Sequence, residues 1–264
     1  GSDSSGGAGL QADIKTISAL GGYAATAITA ITVQNTLGVQ AVHPVPAELV
    51  GEQMQAVMED LRPDAIKIGM TGNVEIISEI ARLLHQYSPR QVVLDPVMVS
   101  TSGHNLMTDE AVEAICTLLL PEVSLVTPNL HEAAVLLQQP IHTVDDMEHA
   151  AHLVYEKYHC ACLVKGGHLT GNEMCDVLYD GHELHLFGAR RIHTGNLHGT
   201  GCTLSSAIAT FLAQGFPLYE AVELAKTYIT KAIEAGKDLH IGQGNGPLCH
   251  FPYLVNQVNP LTEE

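Results

Sequence analysis

Short apolar segments alternate with amphipathic segments along most of the chain. Four runs are apolar almost throughout, as in strands buried on both faces of a sheet, and they cover residues 65–69, 91–97, 123–129 and 162–168. Between them, apolar residues recur at spacings of three and four, as in VEIISEIARLLHQ and DEAVEAICTLLL, which indicates helices. This order predicts an α/β fold with a central, mainly parallel sheet and helices on both faces.

The segment 175–192 has a different pattern. Its apolar and polar residues alternate around Asp180-Gly181, which predicts a small antiparallel hairpin at one edge of the sheet. Two helices are predicted after it, one from about Thr200 with Gly215 as its stop, and one over about 218–236. No repeat or linker divides the chain, so we interpret residues 1–264 as one domain.

The chain starts with a glycine-rich loop that leads into a helix. The helix has Leu10, Ile14 and Ile17 as its apolar stripe and ends at Gly21-Gly22. Loops of this kind usually follow a strand. We therefore expect a first strand before Gly1, outside the sequence given.

Composition narrows the class of partner. The 264 residues carry a formal net charge of −17, which argues against a nucleic-acid or anionic-membrane surface. A few local N–H groups can still hold a small anion. The six cysteines are irregularly spaced, and no signal peptide or long apolar run occurs. We expect a cytoplasmic protein with reduced thiols that neither enters nor crosses a membrane.

The predicted strands end in polar, glycine or proline residues. These ends are VQNT at 33–36, GM at 69–70, DPVM at 95–98, TPNLHE at 127–132 and KGGH at 165–168. Ligands of open parallel sheets bind outside the carboxyl ends of the strands, so we predict an active site along this edge.

The turn HGTGC leads directly into a predicted helix. Gly199, Thr200, Gly201 and Cys202 would present consecutive N–H groups at the helix N-terminus, where an anion is favoured. The same field should lower the pKa of the Cys202 thiol. Cys202 could then accept a proton from a substrate hydroxyl while the N–H groups hold a transferring phosphoryl group. The alternative is an ordinary glycine-rich turn with a small buried cysteine.

Polar residues at two other strand ends suit a nucleotide. Asn129 and Glu132 share one face of a helix start and offer oxygen ligands for Mg²⁺, which Asp95 could join. Lys165 ends an apolar strand and is expected to face a phosphate. An acidic first turn, an ordinary Asp-Pro turn and a surface lysine are the alternatives.

Three further residues could hold a flat heteroaromatic ligand. Asp13 lies at the edge of the first helix stripe, Gln34 could form paired hydrogen bonds, and Met70 offers a polarizable contact. A helix-surface carboxylate and two packing residues are equally good interpretations.

Together these segments resemble the hydroxymethylpyrimidine/phosphomethylpyrimidine kinases of thiamine biosynthesis, members of the ribokinase-like superfamily. The matching motifs run in order from residue 1 to about 236: GSDSSGGAGLQADIKT, ITVQNTLGV, KIGM, VVLDPVM, TPNLHEA, VKGGH and HGTGCTLSSAIA. The resemblance implies a three-layer ribokinase-like fold, ATP and Mg²⁺, and a homodimer. It also implies phosphorylation of 4-amino-5-hydroxymethyl-2-methylpyrimidine and then of its monophosphate to the diphosphate.

The resemblance implies residue roles as well. Cys202 would be the base, where many superfamily members carry an aspartate, and the preceding Gly199, Thr200 and Gly201 would form the anion hole. For Lys226 a plain surface lysine remains the alternative. The remaining roles are nucleotide binding by Lys165, Lys226 and Asn129, metal binding by Glu132 and Asp95, directly or through water, and pyrimidine binding by Gly1, Asp13, Gln34 and Met70.

Three other functions compete with this one. A pyridoxal kinase of the same subgroup shares the GTGC turn, but often has a flap cysteine where this chain reads VMVSTSG, ahead of HNL at 104–106. Dual activity stays open. A non-catalytic pyrimidine sensor would not need Cys202, Asn129, Glu132 and Lys165 together. A thiol hydrolase using Cys202 lacks a convincing His/Asn pairing.

Overall fold

The computed structural model describes residues 1–98, 107–167 and 173–255. The strands are β1 (Ala30–Asn35), β2 (Gly38–Pro44), β3 (Ile66–Ile68), β4 (Val92–Leu94), β5 (Leu125–Val126), β6 (Ala161–Val164), β7 (Glu173–Tyr179) and β8 (Leu184–Arg190). The α-helices are α1 (Gly9–Ala19), α2 (Ala47–Asp60), α3 (Val74–Tyr87), α4 (Asp109–Ala114), α5 (Leu130–Leu137), α6 (Val144–Tyr158), α7 (Thr200–Ala213), α8 (Leu218–Gly236) and α9 (Pro252–Val255). The predicted flap residues 99–106 and His168 lie outside the described residues.

A six-stranded sheet forms the centre, in the order β3-β4-β5-β6-β7-β8. Strands β3 to β6 pair in parallel, and β7 and β8 add to the β6 edge in antiparallel fashion. Every residue of β4, β5 and β6 is buried, as expected for strands covered on both faces. The mainly parallel sheet and its antiparallel edge hairpin are thus confirmed.

Helices cover both faces of this sheet. Successive side chains of a strand point to opposite faces, so Val92 and Leu94 join the core beneath α3 and α6, while Val93 joins the core beneath α7 and α8. The result is the predicted three-layer arrangement. Within the described ranges, every helix is too short or too polar to span a bilayer.

Strands β1 and β2 form a separate two-stranded antiparallel sheet. The segment VQNT, 33–36, therefore does not end a strand of the central sheet, and its predicted place on that sheet edge is wrong. The reason is visible in the burial pattern. Ile31 is 55% exposed and Val33 is also exposed, so this strand buries only one face, unlike those of the centre.

Two helix predictions also need correction. The segment 109–120 begins as α4 but continues as a π-helical turn over Ile115–Leu119 and a 3₁₀ turn over Leu120–Glu122, where Pro121 removes a backbone donor. In α1 the buried residues are Ala12 and Thr16 rather than the predicted stripe. The stripe residues line a cavity instead, and Ile14 is 36% exposed.

Candidate active site

A cavity of about 1480 Å³ lies at the carboxyl ends of the parallel strands. Its wall includes every residue to which the sequence analysis gave a site role. These are Gly1, Asp13, Gln34, Met70, Asp95, Asn129, Glu132, Lys165, Gly199, Thr200, Gly201, Cys202 and Lys226. The structure therefore brings residues from eight separate segments of the chain to one space.

The start of α7 is shaped by contact with the first glycine-rich loop. Gly199 has φ of +87°, and a Cβ at this position would overlap the carbonyl oxygen of Gly7. The Thr200 N–H donates to the Leu197 carbonyl at 3.2 Å, and the Thr200 hydroxyl donates to the same oxygen at 2.7 Å. Thr200 therefore does not offer its N–H to an anion, contrary to the prediction.

The N–H groups of Gly201 and Cys202 belong to the first helical turn, where the helix itself supplies no acceptor. A Cβ on Gly201 would lie 3.3 Å from Asp95 Oδ2 and 3.5 Å from Lys165 Nζ. The turn thus faces the ends of β4 and β6, so the amide groups, a lysine and a carboxylate meet at one point.

Cys202 is half-buried at this point. Burial raises the pKa of its thiol, nearby Asp13 and Asp95 raise it further, and Lys67 opposes them. The predicted lowering of the Cys202 pKa is wrong, because desolvation and two carboxylates outweigh the favourable charges around the sulfur.

Lys165 is held by two buried carboxylates. Its Nζ lies 2.7 Å from Asp95 Oδ1 and 4.0 Å from Glu132 Oε2. Although burial alone would lower the pKa of Lys165, Asp95 and Glu132 raise it. Burial raises the pKa of Glu132 to about 7, with Lys165 lowering it and Asp95 adding to the rise. The shorter contact shows that Lys165 pairs chiefly with Asp95.

Asn129 and Glu132 form the N-terminal cap of α5. Asn129 Oδ1 accepts from the Glu132 N–H at 2.9 Å, and Glu132 Oε2 accepts from the Asn129 N–H at 2.7 Å. Both residues thus have a structural role, and both still line the cavity.

Lys226 is not a plain surface lysine. It extends from α8 to Asp176, whose Oδ2 accepts from its Nζ at 2.6 Å, while Asp176 Oδ1 accepts from the Gly166 N–H at 2.8 Å. Only 15% of the Lys226 side chain is exposed. Sequence reasoning missed Asp176, which holds this lysine from the edge hairpin.

Asp13 pairs with a lysine that sequence reasoning also missed. Lys67 Nζ donates to both carboxylate oxygens, at 2.9 and 3.1 Å, and the Ser206 hydroxyl donates to Oδ1 at 2.7 Å. Burial alone would lower the pKa of Lys67, but Asp13 and Cys202 raise it. A signal was present, because Lys67 interrupts an apolar strand just as Lys165 ends one.

Gly1 and Met70 meet at the floor of the cavity. A Cβ on Gly1 would lie 3.1 Å from Met70 Sδ, and the Gly1 nitrogen donates to Thr29 Oγ1 at 2.9 Å. A side chain at residue 1 would therefore crowd Met70.

Gln34 follows a β-bulge between Val33 and Gln34, which re-aims its side chain into the cavity. The Ser4 hydroxyl donates to the Gln34 carbonyl at 2.6 Å and accepts from its N–H at 3.0 Å. Its amide lies 3.3 Å from His198 Nε2, which in turn lies 2.8 Å from Asp3 Oδ2. Sequence reasoning did not identify the Asp3–His198 pair.

Within the described residues, no three or more His, Cys, Asp or Glu side chains are grouped to hold a metal ion by themselves. A cation at this site would need ligands from a bound molecule as well.

The three-layer fold and the cavity, with a helix N-terminus and lysines held by carboxylates at the carboxyl ends of the strands, define a ribokinase-like kinase of small molecules. Residues 3–249 match the model of the phosphomethylpyrimidine kinase family, and the chain belongs to this family.

Known relatives agree with this placement. The hydroxymethylpyrimidine/phosphomethylpyrimidine kinase of Rhizobium meliloti is 53% identical over 252 residues, which cover 95% of this chain and 94% of the relative. The crystal structure of phosphomethylpyrimidine kinase from Clostridium difficile 630 matches with a TM-score of 0.79 and 45% identity, over 88% of this chain and 96% of that one. The resemblance stated from the sequence is therefore confirmed.

A pyridoxal kinase shares the fold too. The Staphylococcus aureus pyridoxal kinase, solved in complex with ADP, matches with a TM-score of 0.88 and 33% identity, over 99% of this chain and 93% of that one.

Proposed function

We propose that this kinase transfers the γ-phosphoryl group of ATP to the hydroxymethyl group of 4-amino-5-hydroxymethyl-2-methylpyrimidine, and then a second one to the monophosphate. The observation that carries the proposal is the convergence at Gly201–Cys202. There, amide groups of the first turn of α7, a thiol, Asp95 and Lys165 line the same part of the cavity.

Cys202 acts as the base. Its thiolate takes the proton of the substrate hydroxyl, the oxygen forms a bond to the γ-phosphorus, and the bond from that phosphorus to the bridging oxygen breaks to release ADP. The N–H groups of Gly201 and Cys202 stabilise the charge on the transferred group, while Gly199 provides the backbone reversal that points them inward.

The nucleotide lies on the side of Lys165 and Lys226. Carboxylates hold both lysine side chains in place before any phosphate arrives. Phosphate binding therefore costs less side-chain entropy. The side-chain amide of Asn129 faces the same space from the start of α5.

The donor set also fits Mg²⁺. The buried carboxylate of Glu132, with a pKa of about 7, lacks a close cation of its own, since Lys165 Nζ is nearer to Asp95. Glu132 and Asp95 would hold the ion, directly or through water, together with phosphate oxygens. When bound, Mg²⁺ would neutralise charge on the transferring phosphoryl group.

The pyrimidine ring lies at the opposite end of the cavity. Met70 and Gly1 form an apolar floor for the ring, and Gln34 offers a paired donor and acceptor at its edge. Asp13, fixed by Lys67, completes the polar wall.

Product analysis by mass spectrometry tests the proposal. The wild type, incubated with ATP, Mg²⁺ and the pyrimidine alcohol, should add one phosphate and then a second. Cys202→Ala should lower turnover about 10²–10⁴-fold, as for the loss of a general base, with little change in KM. Cys249→Ala, another half-buried cysteine but outside the cavity wall, is the matched control. A pyrimidine alcohol of unchanged mass, or a fully active Cys202→Ala variant, would refute the assigned roles.

Pyridoxal kinase activity is the second candidate, favoured by the TM-score of 0.88 with the S. aureus enzyme. Turnover of pyridoxal and of the pyrimidine alcohol should be compared under the same conditions, and a large preference for pyridoxal would reverse the assignment. A pyrimidine-binding sensor would bind the ring without hydrolysing or transferring phosphate from ATP.

The proposal includes a homodimer, which the family resemblance supports. Light scattering coupled to gel filtration should give about twice the chain mass of 28.2 kDa.

A further inference from the structure

The side-chain amide of Gln34 lies between two hydrogen-bonding groups whose roles as donor or acceptor are set by other parts of the chain. On one side Thr32 Oγ1 lies 3.3 Å from Gln34 Oε1, and on the other His198 Nε2 lies 3.3 Å from Gln34 Nε2. The two ends of an amide are told apart by their partners, so each contact can be examined for which end it requires.

The Thr32 contact requires a donor from Gln34. The Thr32 hydroxyl donates its single hydrogen to the Ser2 carbonyl oxygen at 2.9 Å, and a carbonyl oxygen can only accept. The lone pairs of Thr32 Oγ1 are what remains for Gln34. The amide –NH₂, rather than the amide oxygen, satisfies this contact.

The His198 contact excludes the –NH₂ of Gln34 from this side. Asp3, which is buried, accepts hydrogen bonds from the N–H groups of Ser5, Gly7 and Ala8 at 2.8 to 3.1 Å, as only an ionised carboxylate does at both oxygens. His198 Nε2, 2.8 Å from Asp3 Oδ2, must therefore carry a hydrogen. A nitrogen that carries a hydrogen cannot accept one from an amide –NH₂.

We propose that Gln34 presents its amide oxygen to His198 and its –NH₂ to Thr32, and that His198 and Thr32 are positioning residues that set the substrate specificity of this kinase through that fixed orientation. The inference rests on the proposed function. This orientation of the Gln34 amide offers the cavity one acceptor and one donor in a fixed order. It therefore selects heterocycles that carry an exocyclic amine beside a ring-nitrogen acceptor.

The order of donor and acceptor also matches the position of the reacting group. His198 immediately precedes the turn 199–202, so we assign the amide oxygen to the side of the transferred phosphoryl group. In the pyrimidine alcohol, the amine is the neighbour of the hydroxymethyl carbon and the ring nitrogen comes next. The 4-oxo analogue reverses the pattern, with a carbonyl acceptor beside a ring N–H, and a fixed amide rejects it.

The test compares the amino pyrimidine alcohol with its 4-oxo analogue in two kinds of variant. Thr32→Val and His198→Phe each remove one partner of the amide, whereas Thr32→Ser and His198→Gln keep a hydrogen-bonding group at the same place. The wild type should prefer the amino compound by about 10⁴-fold in kcat/KM, as sites built to hydrogen-bond a substrate do. In Thr32→Val and His198→Phe this preference should fall at least about tenfold, through KM and with kcat little changed, and the two conservative variants should keep it.

Calorimetric titration of the same proteins with both pyrimidines, without ATP, tests the orientation of Gln34 separately from the proposed reaction. A binding preference that falls in Thr32→Val and His198→Phe supports the inference even where no phosphate is transferred, an outcome that would overturn the proposed reaction alone. A preference that is equal in the wild type and in Thr32→Val overturns the inference, whatever the turnover. Thr32→Val decides the question by itself if His198→Phe does not fold.

Discussion

Replacing Lys67 by Met should destabilise the protein strongly and in a pH-dependent way. The Lys67 side chain is only 5% exposed, and its Nζ forms two contacts with Asp13, at 2.9 and 3.1 Å. Removing one partner of a buried ion pair leaves the other charge without compensation, which costs about 3–5 kcal/mol. Met fills a similar volume, so this cost is electrostatic rather than a matter of packing.

The size of the effect should depend on pH because Asp13 keeps only the Ser206 hydroxyl as a partner in the variant. Without the lysine, folding buries a carboxylate that is only 19% exposed and no longer has a cation beside it. Because acid neutralises this charge, the loss of stability should be smaller in acid than at neutral or alkaline pH. The free energy of unfolding that the variant loses relative to the wild type should therefore be smaller at pH 5 than at pH 8.

A double-mutant cycle measured by urea denaturation checks this reasoning. Adding Asp13→Asn to Lys67→Met removes the unpaired charge and should recover most of the lost free energy of unfolding and abolish its pH dependence. The surface pair Lys237–Glu234 is the matched control, and Lys237→Met should change stability little at any pH. The argument fails if Lys67→Met loses the same free energy at pH 5 and pH 8, or if the second substitution recovers nothing.

Three further outcomes follow from particular residues. The kcat/KM of the wild type should rise with pH across the neutral range, because burial raises the pKa of Cys202. In Cys202→Asp this rise should move to lower pH. Identical pH profiles of the two proteins would argue against Cys202 as the base. Gly199→Ala should destabilise the protein more than Gly215→Ala. Both glycines have positive φ, but of the two only Gly199 has backbone atoms of another segment within 4 Å of where the new Cβ would lie. Equal changes in melting temperature would contradict this. Burial lowers the pKa of His250 to about 4, so the free energy of unfolding should fall by up to about 3 kcal/mol as pH falls from about 6.5 to 4, and His250→Gln should remove this slope.

The sequence predicts best where the determining signal is local. The buried strands, the hairpin at Asp180-Gly181 and the start of α7 at Thr200 all agree with the structure, because periodicity and turn residues encode them directly. The hairpin of β1 and β2 was missed since its two-residue turn, Thr36-Leu37, has none of the usual glycine or asparagine signals.

The candidate site residues line one cavity, as their places at strand ends predicted, but the sequence did not reveal their electrostatics. The rim of strand ends is a consequence of topology, so polar residues there could be assigned to one cavity. The Asp13–Lys67 and Asp3–His198 pairs join residues 54 and 195 positions apart, and no local pattern connects them. The sign of the Cys202 pKa shift failed for the same reason. The helix N-terminus is visible in the sequence, whereas burial and the approach of Asp13 and Asp95 are not.

The raised pKa of Cys202 has a use in a site of this kind. The thiol lies between two lysine–carboxylate pairs, Lys67–Asp13 and Lys165–Asp95, and both lysines interact with it. Burial raises the pKa of the thiol most, and the carboxylates that hold the two lysines raise it further. Because the thiolate is the form that oxidants attack, a cysteine that is protonated at rest survives in an accessible cavity. Since phosphoryl transfer depends mainly on position and charge, a base that is only partly ionised is compatible with the proposed reaction.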